Sequence, residues 1–369
     1  MRSIRHILIV QPYGIGDALF VTPLLRTLRT LPTVETVDLL LGSRTELVFR
    51  NNPHVDRIFS IDKGKWHVLG KRKAVKDLVF LWKNLHDHYD LLVDFSLQRE
   101  YGFYGLLLNI PCRIGLDYKK RGLFLTQRIS LGKGYEGKHA EDFYCDVGKL
   151  IGLEVEDRFL EFYIGDEDRK EGEKVLQDQS ISKASRFVAI APGGGESWGK
   201  DAIFKRWPAA NFSETLSLVR RRFDFEGVLV LGSQGERQLG EEVKMNCQFP
   251  VVNLCGELSL GACAAVLKKA VLFLANDGGL VHLAHALHVP LVAFYGPVDP
   301  RVYGPYPPSR RAVSVAREGL PCRPCYSGFR YNSACVDREC LTALTPREVV
   351  ELLDAKNFWS HEERLPLSF

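Results

Sequence analysis

Apolar residues gather in short, nearly continuous runs, at 6–10, 37–41, 90–95, 187–191, 227–231, 271–275 and 291–295. Near-continuous Val/Ile/Leu/Phe runs of this length predict strands buried on both faces, as in parallel sheets. Between them the stretches 17–30, 142–151, 211–221, 260–269 and 279–287 carry helical spacing. Pro23 lies inside the first of these and removes a backbone donor, which predicts a kink. Strands alternating with helices along the whole chain predict an α/β protein with mostly parallel sheets.

The alternation is interrupted once. The segment "GDEDRKEGEKVLQDQSISKASR" is densely charged, then small and polar. It reads as a solvated helix followed by a linker. The chain has 369 residues, too many for one ordinary core. We therefore expect a first doubly wound domain over 1–175 and a second over 183–350. The tail 351–369 is expected to pack back on the first domain. Ligands of such sheets bind beyond the carboxyl ends of the strands, so the cleft between two such domains is the expected site.

Composition narrows the class. The chain is 46% hydrophobic and 25% charged, as in soluble globular proteins. A net charge of +4 is too mild to argue for nucleic acid, but it suits an anionic substrate. No stretch reaches the length of a membrane span, and the apolar run 7–10 is too short for a signal peptide. These features predict a cytoplasmic protein without a transmembrane segment.

The candidate chemistry sits where strands give way to helices. In "ILIVQPYGIGDALF" the turn Gly14-Ile15-Gly16 suggests a dinucleotide fingerprint, but Leu19 stands where its third glycine belongs. A phosphate-binding P-loop fails too, because no Gly-Lys-Ser/Thr follows. What remains is Asp17 at a helix start. It is either a helix cap or a carboxylate positioned to take a proton from an attacking hydroxyl. The second half holds three strand–glycine–helix junctions, at 192–195, 232–235 and 276–279. Their glycines, Gly194, Gly195, Gly278 and Gly279 among them, let backbone approach a ligand, and helix starts attract anions. Three in one domain suit a nucleotide diphosphate. Lys205 in "KRWP" is a point charge for such a group or a solvated basic turn. Glu236 in "GSQGER" is a ribose acceptor or an ordinary first-turn glutamate. His282 follows the third junction and gains weight only from those neighbours.

In order and approximate spacing these segments resemble glycosyltransferase family 9, the bacterial heptosyltransferases of lipopolysaccharide core synthesis. The resemblance rests on "GIGDALFVTPLLRTLR", "NNPHVDRIF", "APGGGESWGKDAIFKRWPAANFSE", "VLVLGSQGER" and "NDGGLVHLAHALHVPLVAFYGPVDP". It implies a GT-B fold, two Rossmann-like domains facing across a cleft. It also implies inverting, metal-independent transfer of heptose from ADP-heptose to a lipid-linked saccharide, with peripheral attachment at the inner face of the cytoplasmic membrane. The alternatives within this fold are another nucleotide sugar or a protein acceptor, and beyond them a non-catalytic nucleotide-sugar-binding protein. By resemblance Asp17 is the base, Lys205 contacts donor phosphate and Glu236 contacts the nucleoside. Asp277, Gly278, Gly279 and His282 hold sugar and diphosphate. Many members carry Thr or Ser at the position of Gly278, so this chain has lost a hydroxyl donor there.

Nine cysteines are present, and four of them cluster in "CRPCYSGFRYNSACVDREC". Cys322, Cys325, Cys335 and Cys340 have the look of a closed tetrahedral site for structural zinc or iron. The alternative is a loop held by thiols or disulfides.

Overall fold

The computed structural model describes residues 3–61, 79, 83–85, 89–179, 181, 185–195 and 199–360. The chain divides into two compact units, Met1–Tyr163 and Ile164–Phe369. The first holds strands β1 (His6–Gln11), β2 (Thr36–Gly42), β3 (Arg57–Ile61), β4 (Leu91–Asp94), β5 (Cys112–Tyr118) and β6 (Gln127–Leu131). They form one parallel sheet in the order β3-β2-β1-β4-β5-β6.

The second unit repeats the plan with β7 (Phe187–Ala191), β8 (Gly227–Val230), β9 (Val251–Asn253), β10 (Leu272–Asn276), β11 (Leu291–Tyr295) and β12 (Ala312–Ala316). Its order is β12-β11-β10-β7-β8-β9. Counted within each unit, both sheets therefore run 3-2-1-4-5-6, the Rossmann order. In each, the chain winds outward from its first strand and then returns to the other side of it. That reversal falls between β1 and β4 in one unit and between β7 and β10 in the other. Side chains cannot fill the crevice this leaves at the carboxyl ends, so ligands do.

β7, β10 and β11 are buried along their whole length, which two covered faces require. Their neighbours form the second core, in which Trp207, Phe212, Phe225 and Phe294 are nearly fully buried. Leu353 and Phe358 join that core, so the described part of the tail packs on the second unit. Residues 361–369 lie outside the described residues.

Two local differences from the sequence reading have clear causes. The expected kinked helix at 17–30 is instead two helices, Ile15–Leu19 and Thr22–Arg29. Pro23 lies in the first turn of the second helix, where a missing N–H costs nothing. The charged helix Asp166–Asp178 belongs to the second unit. Gly172 faces Ala265 on helix Leu260–Lys269 so closely that a Cβ there would stand 3.0 Å from the alanine's Cβ. Glu173 and Lys269 pair at 3.0 Å across the same contact. Among the described residues no helix is long and apolar enough to cross a membrane.

Candidate active site

In the second unit β7 ends in Pro192 and a run of three glycines, and its neighbour β10 ends in Asn276-Asp277-Gly278. Gly194 and Gly195 sit at φ +80° and +87°, a left-handed backbone that glycine adopts without cost. Gly278 is required for a different reason. Its backbone is extended (φ 173°), but an added Cβ would stand 2.8 Å from the Gly194 carbonyl oxygen. The two glycine turns therefore touch, backbone to backbone, and the departure at Gly278 is tied to that approach. Gly279 then opens helix Gly279–Ala286, which carries His282.

Side chains lock this seat. Asn276 donates from Nδ2 to the Pro192 carbonyl at 2.7 Å and accepts from the Trp207 N–H at 3.1 Å. The Trp207 indole donates to the Leu344 carbonyl at 2.9 Å and stacks on Phe294 at 4.1 Å. Arg206 donates from Nε to the Gly193 carbonyl at 2.9 Å. The chain is thus fixed immediately after Lys205. Lys205 Nζ reaches Asp277 Oδ2 at 2.9 Å, with the two side chains only 10% and 7% exposed. A nearly buried charge survives only when paired, and here each partner fixes the other.

Glu236 is buried and bridges two of the glycine junctions. One carboxylate oxygen accepts from the Gly195 N–H at 2.8 Å, and the other from the Ser233 N–H and hydroxyl at 2.9 and 3.0 Å. This is a capping box over the turn that follows β8. The structure therefore brings Gly194, Gly195, Lys205, Glu236, Asp277 and Gly278 together. His282 is buried one turn into the adjoining helix. Its neighbour His285 is pushed down to about 4, first by burial and then by His288, so it is a neutral core residue.

At the first unit's switch point Asp17 lies in the first turn of its short helix, but Gly14 occupies the capping position and no side chain caps it. The cap reading of Asp17 is not what the structure shows. Gln11, fully buried at the end of β1, donates from Nε2 to the Tyr144 hydroxyl at 2.9 Å and to the Asp17 carbonyl at 3.3 Å. The Tyr144 hydroxyl in turn donates to Asp17 Oδ1 at 3.4 Å. Burial, then Tyr135 and Asp17, push Tyr144 well above the usual phenol range, so its proton stays on. Tyr144 stacks on Phe95 at 4.6 Å. Gln11, Tyr144, Asn276 and Trp207 escaped the sequence reading. A polar residue closing an apolar strand was the available signal for Gln11 and Asn276.

The description "Glycosyltransferase family 9 (heptosyltransferase)" fits residues 79–328, well over half of the chain. The chain belongs to this family. Lipopolysaccharide heptosyltransferase 2 of Escherichia coli (strain K12) is 29% identical over 358 residues, covering 95% of this chain and 97% of that protein. Two solved structures share the fold. The family 9 glycosyltransferase from Veillonella parvula DSM 2008 has a TM-score of 0.77 at 19% identity, covering 96% of this chain and 98% of its own. The E. coli ADP-heptose lps heptosyltransferase II has a TM-score of 0.70 at 21% identity, covering 97% and 100%. The expected GT-B fold is thereby established for this family 9 chain.

The cysteine cluster is a separate matter. Burial, then Cys325, Cys335 and other neighbours, push the Cys340 thiol up to about 11, so these thiols lie within electrostatic reach of one another. All four are unbridged. Among the described residues, however, no three His, Cys, Asp or Glu side chains are arranged to hold a metal ion. As placed, Cys322, Cys325, Cys335 and Cys340 do not fit a tetrahedral zinc or iron centre.

Proposed function

We propose that this family 9 glycosyltransferase moves a heptose from ADP-heptose to a lipid-linked saccharide of the lipopolysaccharide core, with inversion and without a catalytic metal. The observation that carries this reading is the seat in the second unit. Touching glycine turns at the ends of neighbouring strands leave backbone amides for a diphosphate, with a fixed lysine beside them. The reaction is a single displacement. The acceptor oxygen bonds to the anomeric carbon as the bond from that carbon to the diphosphate breaks, and ADP leaves. Asp17 takes the acceptor hydroxyl's proton, steadied by Tyr144 and Gln11. Lys205 and the amides at Gly278 and Gly279 stabilise the charge gathering on ADP. Asp277 holds the Lys205 ammonium in place. Glu236 keeps lone pairs for a ribose hydroxyl after serving Gly195 and Ser233.

The test uses purified protein, ADP-heptose and a lipid-linked core acceptor, with product mass as the readout. Asp17→Asn should lower kcat by about 10²–10⁴ while ADP still binds. Turnover by Asp17→Asn at the parent rate would end the base assignment. Failure of the parent to use ADP-heptose would end the donor assignment.

A further inference from the structure

Helix Arg99–Leu107 in the first unit is turned inside out. Its buried face is built from Tyr101, Gly102 and Gly105. Both glycines are there for close packing: a Cβ on Gly105 would stand 2.6 Å from Leu92 Cδ2, and one on Gly102 3.3 Å from Phe124 Cβ. Its bulky apolar residues face outward instead. Phe103, Leu106 and Leu107 are 38%, 43% and 43% exposed, and their spacing puts them on one side of the helix. Phe103 meets Phe124 ring to ring at 5.1 Å, and the adjacent Leu123 is 63% exposed. The result is a contiguous apolar face where a water-exposed helix would carry polar residues.

The rim of this face is basic. Arg99, Lys119, Lys120 and Arg121 are all exposed. Arg99, Arg121, Phe103 and Phe124 also line an open groove of about 660 Å³. Lys119 and Lys120 hold left-handed backbones at φ +55° and +59°, a conformation that costs a side-chain-bearing residue energy and persists where position matters. Glu100 is the acidic residue among the groove's lining.

We propose that this face docks the protein on an anionic phospholipid membrane. Phe103, Leu106, Leu107 and Leu123 enter the boundary between headgroups and acyl chains, and Lys119, Lys120 and Arg121 meet the lipid phosphates. Apolar insertion flanked by cations is the combination that holds a protein at a charged bilayer surface. The proposal stands on exposure and charge. Its test needs neither donor nor acceptor, so it fails or holds independently of the transfer reaction.

The experiment is sedimentation of the full chain with vesicles of phosphatidylglycerol mixed into phosphatidylcholine, against vesicles of phosphatidylcholine alone. Binding is expected to the anionic vesicles only, and to weaken as salt is raised. Lys119→Glu with Lys120→Glu should weaken it at least about tenfold, as should Phe103→Ser with Leu107→Ser, with circular dichroism unchanged. Salt dependence of the parent keeps the test decisive if a variant misfolds. Equal binding to both vesicle types, no binding to either, or a concentration-dependent dimer abolished by Phe103→Ser with Leu107→Ser would overturn the proposal.

Discussion

Asp17 does not stand alone. The carboxylate of a short helix is reached by the hydroxyl of Tyr144, which is itself fixed by Gln11 and by stacking on Phe95. A base that must meet one hydroxyl in one orientation gains more from such holding than from added basicity. Tyr144→Phe removes the contact and keeps the ring. We expect kcat to fall about tenfold with the donor KM unchanged, as steady-state kinetics would show. A raised donor KM at unchanged kcat would move Tyr144 out of this role. The glycine turn and Asp17 were legible in the sequence because they adjoin an apolar strand. Tyr144 was not, since it lies on a helix far along the chain and only folding brings its hydroxyl to Asp17. Lys205 and Asp277 were legible one by one, but their pairing was not.

Elements were legible according to where they lie in the sheets. The central strands β1, β2, β4, β7, β8, β10 and β11 are near-continuous apolar runs, and the sequence shows them within a residue or two. Strands β3, β6, β9 and β12 are edges, and β3 and β6 expose about half of their residues. Their polar residues hide the pattern. Interior β5 was missed for another reason. It carries Arg, Gly and Asp, with Gly115 so close to β4 that a Cβ would stand 2.1 Å from the Asp94 carbonyl oxygen. The junction after β10 shows what such approaches do to function. Restoring the family's hydroxyl by Gly278→Thr should not improve the donor seat, because the new Cβ meets the Gly194 backbone. We expect a loss of about 1–3 kcal/mol in stability and about tenfold in ADP affinity, by thermal melting and calorimetry. Tighter ADP binding in that variant would show that the Gly194 turn yields freely.

On the scale of the whole molecule, the two units share one strand order but not one chemistry. The switch point of the first presents a carboxylate bonded by a tyrosine hydroxyl, and that of the second presents glycine turns and a lysine. The α/β class, the parallel sheets and the existence of two winding series were plain in the sequence, because the apolar runs recur on both sides of one charged segment. The place of that segment's helix was not, since its packing on Leu260–Lys269 depends on Gly172 and the Glu173–Lys269 pair. If the diphosphate seat belongs to the second unit, ADP protects that unit first. At a hundredfold excess over Kd the stabilisation is about 2.7 kcal/mol. Hydrogen exchange with and without ADP should show slowed amides around Gly193–Gly195 and Asn276–Gly279, with little change around Gly14–Asp17. The reverse pattern would assign the nucleotide to the first unit.

Trp207 gives the seat a reporter of its own. Its indole is bonded at the nitrogen, stacked on Phe294 and two residues from Lys205. A fluorine atom placed on that ring would sit in a single dry environment, where its chemical shift responds to small changes in packing. Movement of Lys205 towards a bound anion would be transmitted through two peptide units to the fluorine resonance. Donor occupancy could then be followed by fluorine magnetic resonance in the intact protein, with every residue of the seat left as it is.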